Sequence, residues 1–210
     1  LLLFQPIPFV VRKFLSRSHL EILYSNFHSI IFSSHNRWAT FQTMIRTKSF
    51  HIFALTETWL NDSISSSLLN PLDDYHVFRC DRVSMSKFSG GGAALLVDKS
   101  FSCQSIYSKS IHGCEVLVVD IVCPQFFRVI LVYRPPDIDL NCSKQLFNHL
   151  SLFLHSHHHR HSCDQNILLG GFNCRIFFKC NTPSVDFYHR PSICFKEFAV
   201  LNGLYFLNCF

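Results

Sequence analysis

The sequence contains no C-x-x-C pair, no run of lysine and arginine, and no apolar stretch near the roughly 18 residues that a bilayer span requires. Each absence removes a class of function. The usual zinc patterns are out, since Cys163, Cys174 and Cys180 stand eleven and six positions apart. A disulfide framework belongs to small secreted domains, so ten cysteines in 210 residues read as free thiols in a reducing compartment, nuclear or cytoplasmic rather than secreted. Charged residues are scarce, at 16% against a usual value of roughly 25%, which excludes a disordered acidic or basic tail. The formal charge of +5 leans only slightly toward an anionic partner, because the basic residues are scattered. Two tracts invite over-reading. LLLFQPIPFVVRKF opens the chain with Pro6 and Pro8 interrupting its apolar run, and residues 1–19 are expected to be a poorly ordered leader. HSHHHRH (155–161) reads as a solvated loop, because adjacent histidines do not converge on one ion.

What is present is a core. Hydrophobic residues make up 48% of a chain long enough for one domain. Apolar runs predict strands at 20–26, 51–57, 75–82, 93–99, 114–123, 126–136, 167–173 and from 204, with Pro124 and Gln125 turning one hairpin. Helical spacing places Trp38, Phe41 and Ile45 on one face of a helix over 38–48, and Leu146, Leu150 and Phe153 on another. A further helix over 193–203 ends at Gly203, and Asp62 or Ser63 is placed to cap one before Leu68 and Leu69. Strands alternating with helices imply an α/β fold with a mixed sheet.

Four of these strands end in a polar residue: Asn26, Glu57, Tyr133 and Asn173. Taken singly, Glu57 is equally a solvated carboxylate at a loop start, the asparagines equally turn residues, and Tyr133 a half-buried strand aromatic. Taken together on one rim, a carboxylate, a phenol and two carboxamides suit a divalent cation and a phosphate.

ALTETWL (54–60), RCDR followed by GGGAALLV (79–82 and 90–97), LVYRPP (131–136) and ILLGGFN (167–173) come in an order and spacing that resembles the endonuclease domain of non-LTR (LINE-like) retrotransposons, with LEILYSNFHS (20–29) similar to its opening strand. That domain belongs to the endonuclease/exonuclease/phosphatase superfamily. The resemblance spans about residues 20–210 and implies a four-layer α/β sandwich, two packed mixed sheets with outer helices. It implies metal-assisted hydrolysis of a DNA phosphodiester with Mg²⁺ or Mn²⁺, nicking a target to prime a downstream reverse transcriptase. Asn26 and Glu57 match the metal-binding positions, Tyr133 the tyrosine at the scissile phosphate, and Asn173 the asparagine that orients the attacking group. Arg79, Arg82 and Arg134 would then meet the nucleic acid.

The chain departs from the family at telling places. Gly171 stands where the family's GDFN motif has an aspartate that aligns or deprotonates water, and NFHS carries His28 where Arg is usual. No Ser-Asp-His segment occurs within 1–210, so the sandwich is expected to be incomplete at its C-terminus, with an apolar edge at LYFLNCF (204–210) favouring aggregation. The expectation is therefore a strongly impaired endonuclease. A non-catalytic nucleic-acid-binding module is the rival reading, and a phosphatase-like enzyme for small phosphoesters a third.

Overall fold

The computed structural model describes residues 9–15, 18–30, 35–82, 90–123, 125–156, 165–174, 176–179, 182–185 and 190–204. In chain order the elements are β1 (Phe9–Leu15), β2 (Ser18–Asn26), α1 (His35–Arg46), β3 (Ile52–Thr56), β4 (Tyr75–Cys80), β5 (Ala93–Asp98), β6 (Ser102–Ile111), β7 (Cys114–Cys123), β8 (Gln125–Tyr133), α2 (Leu140–His155), β9 (Asn166–Gly171), β10 (Ile176–Lys179), β11 (Thr182–Val185) and α3 (Arg190–Leu201). One sheet runs β1-β2-β3-β5-β4 and a second β6-β7-β8-β9, with β10 and β11 forming a separate hairpin.

Alternation along the strands builds four layers. In β3, Ile52 and Ala54 join Ile22, Leu95 and Val97 against Leu117, Val119, Val129 and Leu131 of the second sheet. Phe53 and Leu55 face the other way and pack with Phe41 and Ile45 of α1. On the far side, Val116, Val118, Ile130 and Val132 lie under Leu146, Phe147 and Leu150 of α2 and Phe195 and Phe198 of α3. The order is helix, sheet, sheet, helix. Strands buried on both faces read as continuous apolar runs, which is why β3, β5, β7 and β8 were visible in the sequence.

Within residues 1–19, expected to be a poorly ordered leader, β1 pairs antiparallel with β2 from Phe9 opposite Tyr24 to Leu15 opposite Ser18. Two adjacent valines in a short apolar run favour a strand, and pairing it protects an otherwise open edge of β2. The helix expected before Leu68 is only a 3-10 turn, Ser66–Leu68, capped by Ser65 rather than by Asp62 or Ser63. Strand β6 was not anticipated. Its sequence, SCQSIYSKSI, is polar on an exposed edge and carries a register shift between Ser105 and Tyr107, so no clean alternation survives. The expected strand after Gly203 and residues 157–161 of the histidine tract lie outside the described residues.

The inter-sheet layer carries the stability. Leu95→Ala, at a fully buried position, is expected to lower unfolding free energy by about 2 to 5 kcal/mol in urea titrations, whereas Leu72→Ala, 53% exposed, changes it by less than about 0.5 kcal/mol.

Candidate active site

Two parallel strand pairs set the rim. Asn26 at the end of β2 lies opposite Thr56 of β3, and Tyr133 at the end of β8 lies opposite Gly171 of β9. A helix follows β2 and another follows β8, the usual way to return the chain for a parallel partner. The consequence is that each pair of carboxyl ends points the same way. The two pairs also meet across the sandwich: a Cβ added to Gly171 would sit 3.4 Å from the Tyr24 hydroxyl and 3.7 Å from Thr56 Oγ1.

Glu57, the residue after β3, is held tightly for a loop carboxylate. It is 7% exposed and adopts the left-handed φ of 52°, unusual for a non-glycine residue. Its surroundings enforce this. The Glu57 carbonyl accepts the Ser29 amide at 2.8 Å, and the Thr56 and Thr58 carbonyls accept those of Phe27 and Ile30. On the other side the amides of Thr58 and Trp59 donate to Gly92 and Gly91, in a triple-glycine turn whose residues all have positive φ. Strain of this kind persists where the surroundings over-determine it, and it concentrates at functional sites.

The carboxylate receives Asn26 Nδ2 on Oε1 at 2.9 Å and faces His28 Nδ1 from Oε2 at 3.1 Å. Asn26 Oδ1 in turn accepts the His28 amide at 3.3 Å. No lysine or arginine pairs with Glu57 among the described residues. In kind, a nearly buried carboxylate beside an amide fits a hard divalent cation. In number the set is thin: among the described residues no three His, Cys, Asp or Glu side chains converge, so a cation there would keep several waters.

Tyr133 joins from the second sheet. Burial pushes its phenol well above the ordinary tyrosine range, and Glu57 adds to this both by its charge and by hydrogen bonding to the protonated hydroxyl. The guanidinium of Arg82 sits 5.6 Å from the Tyr133 ring centroid, within cation–π range. Arg82 is oriented by Glu115, with Nε to Oε1 at 2.7 Å. Burial raises the Glu115 carboxyl in spite of that pairing. Tyr24 is likewise raised, to about 12, chiefly by burial, while its hydroxyl shares a 3.0 Å hydrogen bond with Thr56 Oγ1.

The two glycines before Phe172 differ. Gly170 has φ of 153°, and a Cβ there would collide with the Val132 carbonyl. Only glycine fits. Gly171 has no such constraint, and its added Cβ would stand 3.3 Å from Tyr133 Cδ2, close enough to need a small adjustment. The backbone therefore tolerates a side chain at 171, pointed among Tyr24, Thr56 and Tyr133. Asn173 follows on the same rim, exposed, with φ of 48° and its Nδ2 tied to the Arg134 carbonyl at 2.7 Å.

The arginines are largely spent on the fold. Arg134 was expected to face nucleic acid, but it is fully buried and clamps Ser143 Oγ and the carbonyls of Pro135, Ile138 and Phe172. Its role is to fix the loop after β8 to α2. Arg79 bonds Asp81, the carbonyls of Asn61 and Ile64, and Ser66. It lines a groove of about 650 Å³ with Asp62, Asp81 and Lys109, away from Glu57. Of the three arginines, Arg82 alone reaches the rim. Lys87, which the non-catalytic reading groups with these arginines as a nucleic-acid contact, lies outside the described residues. Reading the sequence missed the pairing of Arg82 with Glu115; a glutamate opening an apolar strand was the available signal.

No protein-family model matches the chain, and no curated protein matches it in sequence. Solved structures do. The endonuclease domain of TRAS1, a telomere-specific non-LTR retrotransposon, superposes with a TM-score of 0.57 at 12% identity, covering 89% of this chain and 72% of that one. The AP endonuclease LMAP from Leishmania major gives 0.62 at 14% identity, over 94% and 72%. A 3′ phosphatase, NExo from Neisseria, bound to a product DNA hairpin, gives 0.55 at 17% identity, over 86% and 70%. At such identities the likeness establishes the fold alone, an α/β sandwich of two sheets between outer helices that this chain shares with these proteins. No helix among the described residues is long and apolar enough to cross a membrane.

Two measurements check this geometry. Gly170→Ala should abolish cooperative folding or lower the melting temperature steeply, while Gly171→Ala should melt close to the parent protein. The second is alkaline unfolding. Tyr24 and Tyr75 hold their protons to about 12, Tyr75 mainly through burial, whereas unfolded tyrosines ionise near 10. Their contribution is complete below about pH 10 and is lost as pH climbs toward 12. Denaturant midpoints should therefore fall across that window, and Tyr24→Phe should flatten the fall.

Proposed function

We propose that the chain is the endonuclease domain of a retrotransposon-type protein, built for metal-dependent hydrolysis of DNA phosphodiesters and strongly impaired in this copy by Gly171. The observation that carries the reading is the meeting of Glu57, Asn26, Tyr133 and the Gly171 backbone where two sheets bring four strand ends together. TRAS1 supports the retrotransposon assignment, and a reverse transcriptase elsewhere in the parent protein is part of the same proposal.

Glu57 and Asn26 would hold Mg²⁺ or Mn²⁺, which when bound polarises a phosphoryl oxygen. The chain's own residues do the rest. Tyr133 stays protonated through the physiological range because of its burial and of Glu57, so its hydroxyl is a hydrogen-bond donor to a phosphate oxygen. Asn173, exposed at the end of β9, offers its amide at the same rim. Position 171 offers nothing: a glycine neither aligns water nor takes a proton. A positioned base commonly contributes on the order of 10² to 10⁴ in rate.

The rival, a non-catalytic module that binds nucleic acid through Arg79, Arg82, Lys87 and Arg134, draws less support, because Arg134 is buried and Arg79 is occupied. A supercoiled-plasmid assay with Mg²⁺ separates the two. The parent chain should nick barely above background, Gly171→Asp should nick about tenfold faster or more, and Glu57→Gln in that variant should remove the gain. Robust nicking by the parent chain, or a gain indifferent to Glu57, defeats the proposal. Salt-sensitive DNA binding unaffected by Glu57→Ala, with no nicking in any variant, would favour the rival.

A further inference from the structure

We propose that His28 is a ligand of the Glu57 cation site and turns it toward borderline divalent ions, Zn²⁺ or Co²⁺, in preference to Mg²⁺. This rests on the reading of Glu57 as a cation-binding carboxylate. The imidazole Nδ1 lies 3.1 Å from Glu57 Oε2. Two ligands each about 2.1 Å from one ion at the tetrahedral angle are about 3.4 Å apart, so the direct contact between His28 and Glu57 has to open by only about 0.3 Å for a single small cation to replace it.

The ring is also placed rather than drifting. His28 has a left-handed φ of 51°, its amide donates to Asn26 Oδ1, and its ring stands edge-on to Trp59 with centroids 6.3 Å apart. The neighbouring Ser29, at φ 85°, is anchored to the Glu57 carbonyl. His28 is 59% exposed at its side chain and Glu57 10%, so an ion arriving from solvent meets the imidazole first and the carboxylate behind it. Ligand chemistry decides the preference. Mg²⁺ demands oxygen donors, whereas one imidazole nitrogen beside a carboxylate oxygen is a set that Zn²⁺ and Co²⁺ accept readily. Were His28 instead a counter-charge that keeps cations out, removing it would strengthen binding of every divalent ion.

Calorimetric titration of the full chain with ZnCl₂, CoCl₂ and MgCl₂ tests this in a background of His155→Ala, His157→Ala, His158→Ala, His159→Ala and His161→Ala, which silences the histidine tract. His28→Asn, which keeps a left-handed preference but no nitrogen lone pair, should weaken Zn²⁺ and Co²⁺ by about tenfold or more and leave Mg²⁺ unchanged. Glu57→Gln should weaken all three. Equal changes for all three ions in His28→Asn, or a gain, would overturn the ligand role while leaving a Glu57-dependent Mg²⁺ site standing. If no ion binds in a Glu57-dependent way, this inference and the proposed function fall together.

Discussion

Ala54 and Leu95 of one sheet share a fully buried cluster with Leu117, Val129 and Leu131 of the other, and the spacing of that contact sets how far apart the ends of β3 and β9 can lie. Face-to-face sheets pack about 10 Å apart, a distance that side chains from both sides can span. Tyr24 and Thr56 reach across from one sheet toward Gly171 and Tyr133 of the other. The site is therefore a property of the sandwich. Loosening the inter-sheet layer would separate Glu57 from Tyr133 before it disturbed either residue's own strand.

Around this contact the polar residues divide their labour. Buried ion pairs and clamps, Asp120 with Arg128, Glu115 with Arg82, and Arg134 with Ser143 of α2 and three carbonyls of the loops after β8 and β9, position backbone and are satisfied internally. Glu57 differs, since it is nearly buried and its neighbours are an amide, a phenol and an imidazole. A carboxylate kept that way, in a strained and heavily braced loop, is an arrangement suited to an incoming positive charge.

Much of this was legible because core strands advertise themselves. The runs at Ile52, Ala93, Val116 and Val129 are apolar on both faces, and each active-site candidate was found by where such a run stops. Polar edges were not legible: β6 alternates poorly, and β1 was hidden behind two prolines. Long-range pairings were beyond periodicity altogether. Arg134 looks in sequence like a surface cation beside Pro135, and only the fold turns it inward; Glu57 and His28, twenty-nine positions apart, meet only because β2 and β3 run parallel. Gly171 gains most from the structure, for the resemblance implies a missing carboxylate there and the fold shows a backbone that admits a side chain once Tyr133 gives by a few tenths of an ångström.

The central claim, that the rim at Glu57 is a cation site, is tested most directly by anomalous diffraction from crystals soaked in Mn²⁺. The account predicts an anomalous peak about 2.2 Å from a Glu57 carboxylate oxygen and adjacent to Asn26, absent from Glu57→Gln crystals. A rim without anomalous density, or a peak confined to the groove beside Arg79, would contradict it.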